Sequence, residues 1–327
     1  MKAVFLCNRP EDVRRVYDTA ALSRLHALCE LDGHIYTAAE LADLPADTQI
    51  ILSTWGMPTL TEQQIAKHLP HLQAVFYAAG SVQGFARPFL ARGVRVFSAW
   101  AANAVPVAEY TVAQIVLSNK GFFAQARDMK LDQPTPRSTA YSGNYARRVG
   151  LIGCGMIGSL VAEMLKPYAL DVAVYDPYLS CERARALDVT PCPLDELFST
   201  CAVVSNHLPN NAATRGMLTY AQFSRMLPKA TFLNTGRGAQ VIEADLVRAL
   251  SERADLTAIL DVTDPEPCPA GHPFYSLPNC ILTPHIAGSI GQEVWRMSAN
   301  MADELARFLD GTPPCYEVTE QMLATMA

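Results

Sequence analysis

No stretch of this 327-residue chain is apolar for long enough to cross a membrane, and nowhere do lysine and arginine crowd into a dense run. A spanning helix needs about 20 consecutive apolar residues, so the chain is expected to be soluble. A formal net charge of −6 leaves no broad basic surface, and nucleic acid is not an expected partner. The opening MKAVFLCNRP reaches charge too soon for a secretion signal. None of the nine cysteines belongs to a CxxC pair, so no metal is expected, and reduced thiols in a cytoplasmic protein are the natural reading. Repeats of solenoid period are also missing.

What is present is the composition of an ordinary globular enzyme, half hydrophobic and 18% charged. The length exceeds what one core supports, so two domains are expected. Short apolar runs alternate with amphipathic helical stretches from the start, the pattern of α/β domains with parallel sheets. Strands are expected at Lys2 to Cys7, Gln49 to Ser53, Leu72 to Tyr77 and Val94 to Phe97. Helices are expected at Glu11 to Leu28, Thr61 to His68 and Val105 to Leu117. The polar, proline-broken stretch 126–148 reads as a surface arm or linker. A second series follows, with strands at Arg148 to Ile152, Asp171 to Tyr175, Ala202 to Asn206, Thr231 to Asn234, Thr257 to Leu260 and Cys280 to Leu282. Six strands with intervening helices make a doubly wound sheet. A last helix is expected over Gly291 to Leu309, crossing back to the first domain.

The strongest local signal is VGLIGCGMIG over Val149 to Gly158, a buried strand running into Gly153-x-Gly155-x-x-Gly158 and then a helix. In that context the first glycine makes the tight turn, the second lets backbone approach a pyrophosphate, and the third lets helix pack on strand. The amides of Met156 and Ile157 then become phosphate donors at a helix N-terminus. Asp176 follows Gly158 by 18 residues, at the end of the second strand, where a carboxylate accepts bonds from ribose hydroxyls and repels a 2′-phosphate. The expected cofactor is NAD.

Three further segments follow in order: SNHLPNNAATRGML, FLNTGRGAQVIEADLVRAL and ILDVTDPEPCPAGHPFYSLPNCILTPHIAG. With them the chain resembles, over nearly its whole length, the D-isomer-specific 2-hydroxyacid dehydrogenase family, in particular its glyoxylate/hydroxypyruvate reductases. The resemblance implies two Rossmann-like domains, a substrate-binding domain of 1–104 and 290–327 built around an NAD-binding domain of 105–289. It implies three catalytic residues: Arg237 gripping the substrate's carboxylate and carbonyl, His285 as acid/base, and Glu266 as its acidic partner. A planar guanidinium suits a 2-keto acid, histidine lends a proton near neutral pH, and a carboxylate on its other nitrogen favours imidazolium. The same resemblance puts His207, Pro209, Thr214, Thr235, Gly236, Asp261 and Gly288 beside the cofactor. It puts the amides of Ala79, Gly80 and Ser81, in YAAGSV, on the substrate's carboxylate. Trp55, in STWGMP, is either a pocket wall or a core aromatic. A homodimer through the NAD-binding domain is implied, with the helix from Val105 and its following arm as contact.

The two first-domain loops contain no lysine or arginine, which leaves Arg237 as the cation assigned to the pocket and Arg296, distant in sequence, as an open alternative. A compact, uncharged substituent is therefore expected, as in glyoxylate or hydroxypyruvate, and a phosphorylated substrate is not. The chain leaves little beyond its first strand and last long helix for recruitment tails or a regulatory domain, so an enzyme is expected. The alternatives are an NAD(H)-sensing corepressor-like protein and a phosphite-type dehydrogenase of the same fold. A formate enzyme is disfavoured, since that branch resembles the chain but carries Gln where Glu266 stands.

Overall fold

In the computed structural model, residues 1–130, 141 and 143–324 are described. They divide into two compact units, Met1–Ala104 with Ser289–Ala327, and Val105–Gly288.

The first unit holds β1 (Lys2–Leu6), β2 (Glu30–Tyr36), β3 (Ile50–Ser53), β4 (Ala74–Tyr77) and β5 (Arg95–Ser98), all parallel. A short C-terminal strand, Glu317–Val318, pairs antiparallel with β5. The order is C-terminal strand, β5, β4, β3, β1, β2. β3 and β4, sequences IILS and AVFY, are buried at every position, as expected of parallel strands covered on both faces. One face carries Val4, Ile51, Val75 and Phe89; the other carries Phe5, Leu52 and Phe76 under Met297, Met301 and Leu305 of the helix Trp295–Asp310.

The second unit holds β6 (Tyr145–Ile152), β7 (Ala169–Tyr175), β8 (Thr190–Pro191), β9 (Val203–Asn206), β10 (Thr231–Asn234), β11 (Thr257–Leu260) and β12 (Cys280–Leu282). These form one parallel sheet of order β12-β11-β10-β9-β6-β7-β8. Phe198, Phe223 and Phe232 pack on one face, and Val161, Leu165 and Ile115 on the other.

Several sequence expectations change. The expected helix Glu11 to Leu28 is two helices, Pro10–Val16 and Thr19–Leu28, because Asp18 accepts from the Ala21 amide at 2.9 Å and so caps a new start. The helix expected from Val105 begins earlier, at Trp100, and ends at Asn119. Part of the expected linker is the helix Phe122–Lys130, and β6 starts at Tyr145; the remainder of that arm, 131–140 and 142, lies outside the described residues. The closing helix begins with a 3₁₀ turn, Gly291–Val294, before Trp295–Asp310. Strands β2, β8 and Glu317–Val318 were not anticipated. All three lie at sheet edges, where one-sided exposure admits Asp32, Gly33, Pro191 and Glu317 and erases the apolar run.

Candidate active site

In the second unit the chain leaves β6 for β7 on one side and later returns to β9 on the other, so the order reverses between β6 and β9. Ligands of open α/β sheets bind outside the carboxyl ends of the strands at such a reversal. The glycine turn lies there. Gly153 has φ +91°, a left-handed conformation that L side chains rarely adopt. A Cβ on Gly158 would lie 2.1 Å from the Gly153 carbonyl, so the helix Met156–Leu165 touches the turn as backbone. Over Gly155 there is open space, and no side chain caps the helix, which leaves room and donors for a phosphate. Asp176 is held at the turn by the Cys154 amide, 2.7 Å from one carboxylate oxygen, and the Tyr178 amide, 2.8 Å from the other.

The loop after β9 meets this turn through backbone, since a Cβ on Gly153 would lie 3.0 Å from the His207 carbonyl. His207, expected beside the cofactor, has its backbone at this turn and its ring turned inward. It is buried, with Nε2 2.9 Å from the Ser205 hydroxyl, and burial pushes its pKa down from 6.5 to about 3. Thr214 turns its hydroxyl onto the Pro209 carbonyl at 2.5 Å, closing the loop on itself.

Arg237 follows β10. Its loop is shaped by an amide cluster that sequence reasoning missed. Asn206 donates to Asn234 at 2.9 Å and to Gln240 at 2.5 Å; Gln240 in turn donates to the carbonyls of Leu208 and Pro209 and accepts the Arg237 amide at 3.1 Å. The Gly236 amide is used within the loop, on Asn234 Oδ1, and the buried Thr235 hydroxyl lies 3.4 Å from that of Thr111. Polar residues clustered on strand ends were the available signal. Burial lowers the pKa of Arg237, opposed by the charge of Glu266 nearby. A Cβ on Gly238 would lie 2.0 Å from the Thr263 backbone, so the Arg237 loop rests on the loop leading to Glu266.

His285 faces Glu266 through Nδ1 at 2.5 Å, with side chains 44% and 39% exposed. Its φ of +53° is unusual for a non-glycine residue and marks a locally strained site. Asp261, 1% exposed, supplies what holds this conformation: its carboxylate accepts from Thr283 Oγ1 at 2.7 Å and from the Ile286 and Ala287 amides, each at 2.8 Å, while its carbonyl accepts the His285 amide. Expected beside the cofactor, Asp261 also accepts three bonds from the histidine loop through its carboxylate. Gly288 ends the unit.

In the first unit, Ala79 departs from expectation, because its amide already donates to the Tyr77 carbonyl at 2.8 Å. Gly80 and Ser81 have no such bond from their amides among the described residues. Trp55 packs partly buried against the apolar clusters of both sheet faces, which favours the core-aromatic reading of its ring. Among the described residues no cluster suits a metal, and no helix is long and apolar enough to cross a membrane.

The description "D-isomer specific 2-hydroxyacid dehydrogenase, NAD binding domain" matches residues 112–287, more than half of the chain. The chain belongs to this family. The cofactor of the second unit is NAD, and the open backbone over Gly155, the uncapped helix and Asp176 fit it. A D-3-phosphoglycerate dehydrogenase of Mycobacterium tuberculosis is 31% identical over 223 residues, 68% of this chain and 42% of that protein. A glyoxylate reductase of Korarchaeum cryptofilum is 32% identical over 179 residues, 55% of this chain and 54% of that protein. The chain thus matches about half the length of these curated relatives or less. A phosphoglycerate oxidoreductase from Rhizobium etli shares the fold, with a TM-score of 0.81 at 20% identity, covering 98% of this chain and 99% of that one.

Proposed function

We propose that the protein is an NAD-dependent oxidoreductase interconverting a D-2-hydroxy acid and its 2-keto acid. The observation that carries the reading is the Glu266–His285 pair held on a strained turn, with a half-buried Arg237 whose charge is felt by Glu266, all within the NAD-binding unit. Bound NADH supplies the hydride. Arg237 grips the substrate's carboxylate through its planar guanidinium and polarises the carbonyl. His285 Nε2, without a partner among the described residues, donates the proton that the developing alkoxide needs, while Glu266 stabilises the imidazolium and fixes the ring. Asp176 disfavours a 2′-phosphate and so favours NAD over NADP.

The substituent on the keto acid is the finer question. Glyoxylate and hydroxypyruvate are the compact candidates, and one curated relative is named a glyoxylate reductase. The nine free cysteines suit a reducing cytoplasm. Exposed Leu117, Phe122 and Tyr145 offer apolar surface for a homodimer through the NAD-binding unit. The test is NADH oxidation followed against glyoxylate, hydroxypyruvate, pyruvate, phenylpyruvate and 3-phosphohydroxypyruvate. Turnover of at least one is expected. Tight NADH binding with turnover of none would favour the corepressor-like alternative.

A further inference from the structure

Glu266 stands 2.5 Å from His285 Nδ1, yet its loop has little of its own to hold it there. Pro265 and Pro267 flank it and carry no amide hydrogen. Of the three amides left in 264–268, that of Asp264 alone has a hydrogen-bond partner among the described residues, and the partner is Glu243 Oε1 at 2.9 Å. The Asp264 side chain also meets Arg215, but that ion pair is 65% and 41% exposed and contributes little. The weight of the anchor falls on Glu243.

Glu243 opens the helix Glu243–Glu252, a place where an acid ordinarily faces solvent and answers the helix dipole. Here the side chain is 14% exposed and turned onto the neighbouring loop. Burial pushes its pKa up, opposed by the Asp264 amide and by His272. Desolvating a carboxylate is costly without such partners, and both come from this one unit. His272 Nε2 lies 3.6 Å from the second carboxylate oxygen of Glu243. Its Nδ1 accepts the Phe274 amide at 3.3 Å, so the neutral ring carries its hydrogen on Nε2, facing Glu243. The same turn reaches the far end of the Glu266 loop, where the Tyr275 hydroxyl donates to the Cys268 carbonyl at 3.0 Å. Glu266 is therefore held between two anchors, Asp264 before it and Cys268 after it.

We propose that Glu243 is a positioning residue for the acid/base pair, its carboxylate oxygen on the Asp264 amide fixing where Glu266 stands against His285. This rests on the role given to that pair above. Small misplacements of a catalytic group cost large factors in rate, so an anchor two residues from Glu266 acts on turnover without touching substrate or cofactor.

The test measures kcat and KM, per NADH-titrated site, for the 2-keto acid of the panel above that the parent turns over fastest, together with the Kd for NADH. Glu243→Gln keeps an oxygen within reach of the Asp264 amide and loses the charge. Glu243→Asp keeps the charge and withdraws the oxygen by one methylene. kcat is expected to stay within about twofold of the parent in Glu243→Gln and to fall about fivefold in Glu243→Asp, with KM and NADH affinity unchanged in both. Added to Glu266→Ala, where no carboxylate is left to position, Glu243→Asp should cost nothing further. Parental kcat in Glu243→Asp, as a helix-terminal charge would give, or a loss that persists in full on Glu266→Ala, overturns the positioning role and leaves the function standing. Turnover of no 2-keto acid by the parent overturns the function and the positioning role with it.

Discussion

The two units are built on the same plan, a parallel sheet whose strand order reverses beside its first strand, yet the two reversals are furnished differently. In the NAD-binding unit the first loop is glycine: Gly155 under open space, Gly158 in backbone contact with Gly153, and an uncapped helix behind them. In the other unit the corresponding loops carry Arg9, Trp55 and, over the indole, Arg15. A dinucleotide always presents the same pyrophosphate, which backbone amides bind without side chains.

The difference can be sharpened by removing parts from one side at a time. The largest effect is expected from His285→Ala: turnover should fall about 10²–10⁴-fold while NADH affinity stays near parental, measured by steady-state rates and NADH titration. Near-parental turnover would remove His285 from the mechanism.

Next comes steric substitution at the glycine turn. Gly158→Ala drives a methyl into the Gly153 carbonyl and should destabilise the NAD-binding unit by about 1–3 kcal/mol, read as a lower denaturation midpoint. An unchanged midpoint would mean that helix and turn are looser than their contact implies.

A third effect separates the units by acid sensitivity. The folded state holds His207 neutral, with a pKa of about 3 against 6.5, so between those values the unfolded chain binds a proton that the native chain refuses. Stability is therefore intact above pH 6.5 and is lost as pH falls, by about 2 kcal/mol at pH 5. In His207→Asn the fall in Tm between pH 7 and pH 5 should be correspondingly smaller. Parallel acid limbs in the two proteins would contradict this assignment.

The smallest is a loss of turnover. Glu266→Gln keeps a partner for the His285 ring but removes its charge, and kcat for keto acid reduction should fall about fivefold with NADH affinity unchanged. An unchanged kcat would reduce Glu266 to a structural partner.

The same contrast explains what could be read from sequence. The interior strands Thr231–Asn234 and Thr257–Leu260 were legible to the residue, because burial on both faces forces continuous apolar runs. The glycine turn was legible because the spacing of its glycines is local. The edge strands β2 and β8 escaped because exposed residues break their apolar run, whereas Cys280–Leu282, also at an edge, keeps its own. Asp18 escaped too, since its capping role shows only once the helix after it is seen to restart. Arg9 and Arg15 were visible as letters, but their relation to Trp55 depends on β1 and β3 lying side by side, 48 residues apart for Cys7 and Trp55. Asp261 was noticed, but not its hold on the histidine loop, since three of its partners lie more than 20 residues ahead.

The division of labour between the two reversals is tested most directly by NADH titration, followed by nicotinamide fluorescence, in the parent, Gly155→Ala and Arg9→Gln. A Cβ at Gly155 meets no protein atom and occupies only the space left for the pyrophosphate, so the account predicts a Kd for NADH raised about tenfold or more in Gly155→Ala, with an unchanged Tm. In Arg9→Gln the same Kd should stay within about twofold of the parent, since a shift that small is under 0.5 kcal/mol. Equal losses of NADH affinity in the two variants, or a loss confined to Arg9→Gln, would contradict it.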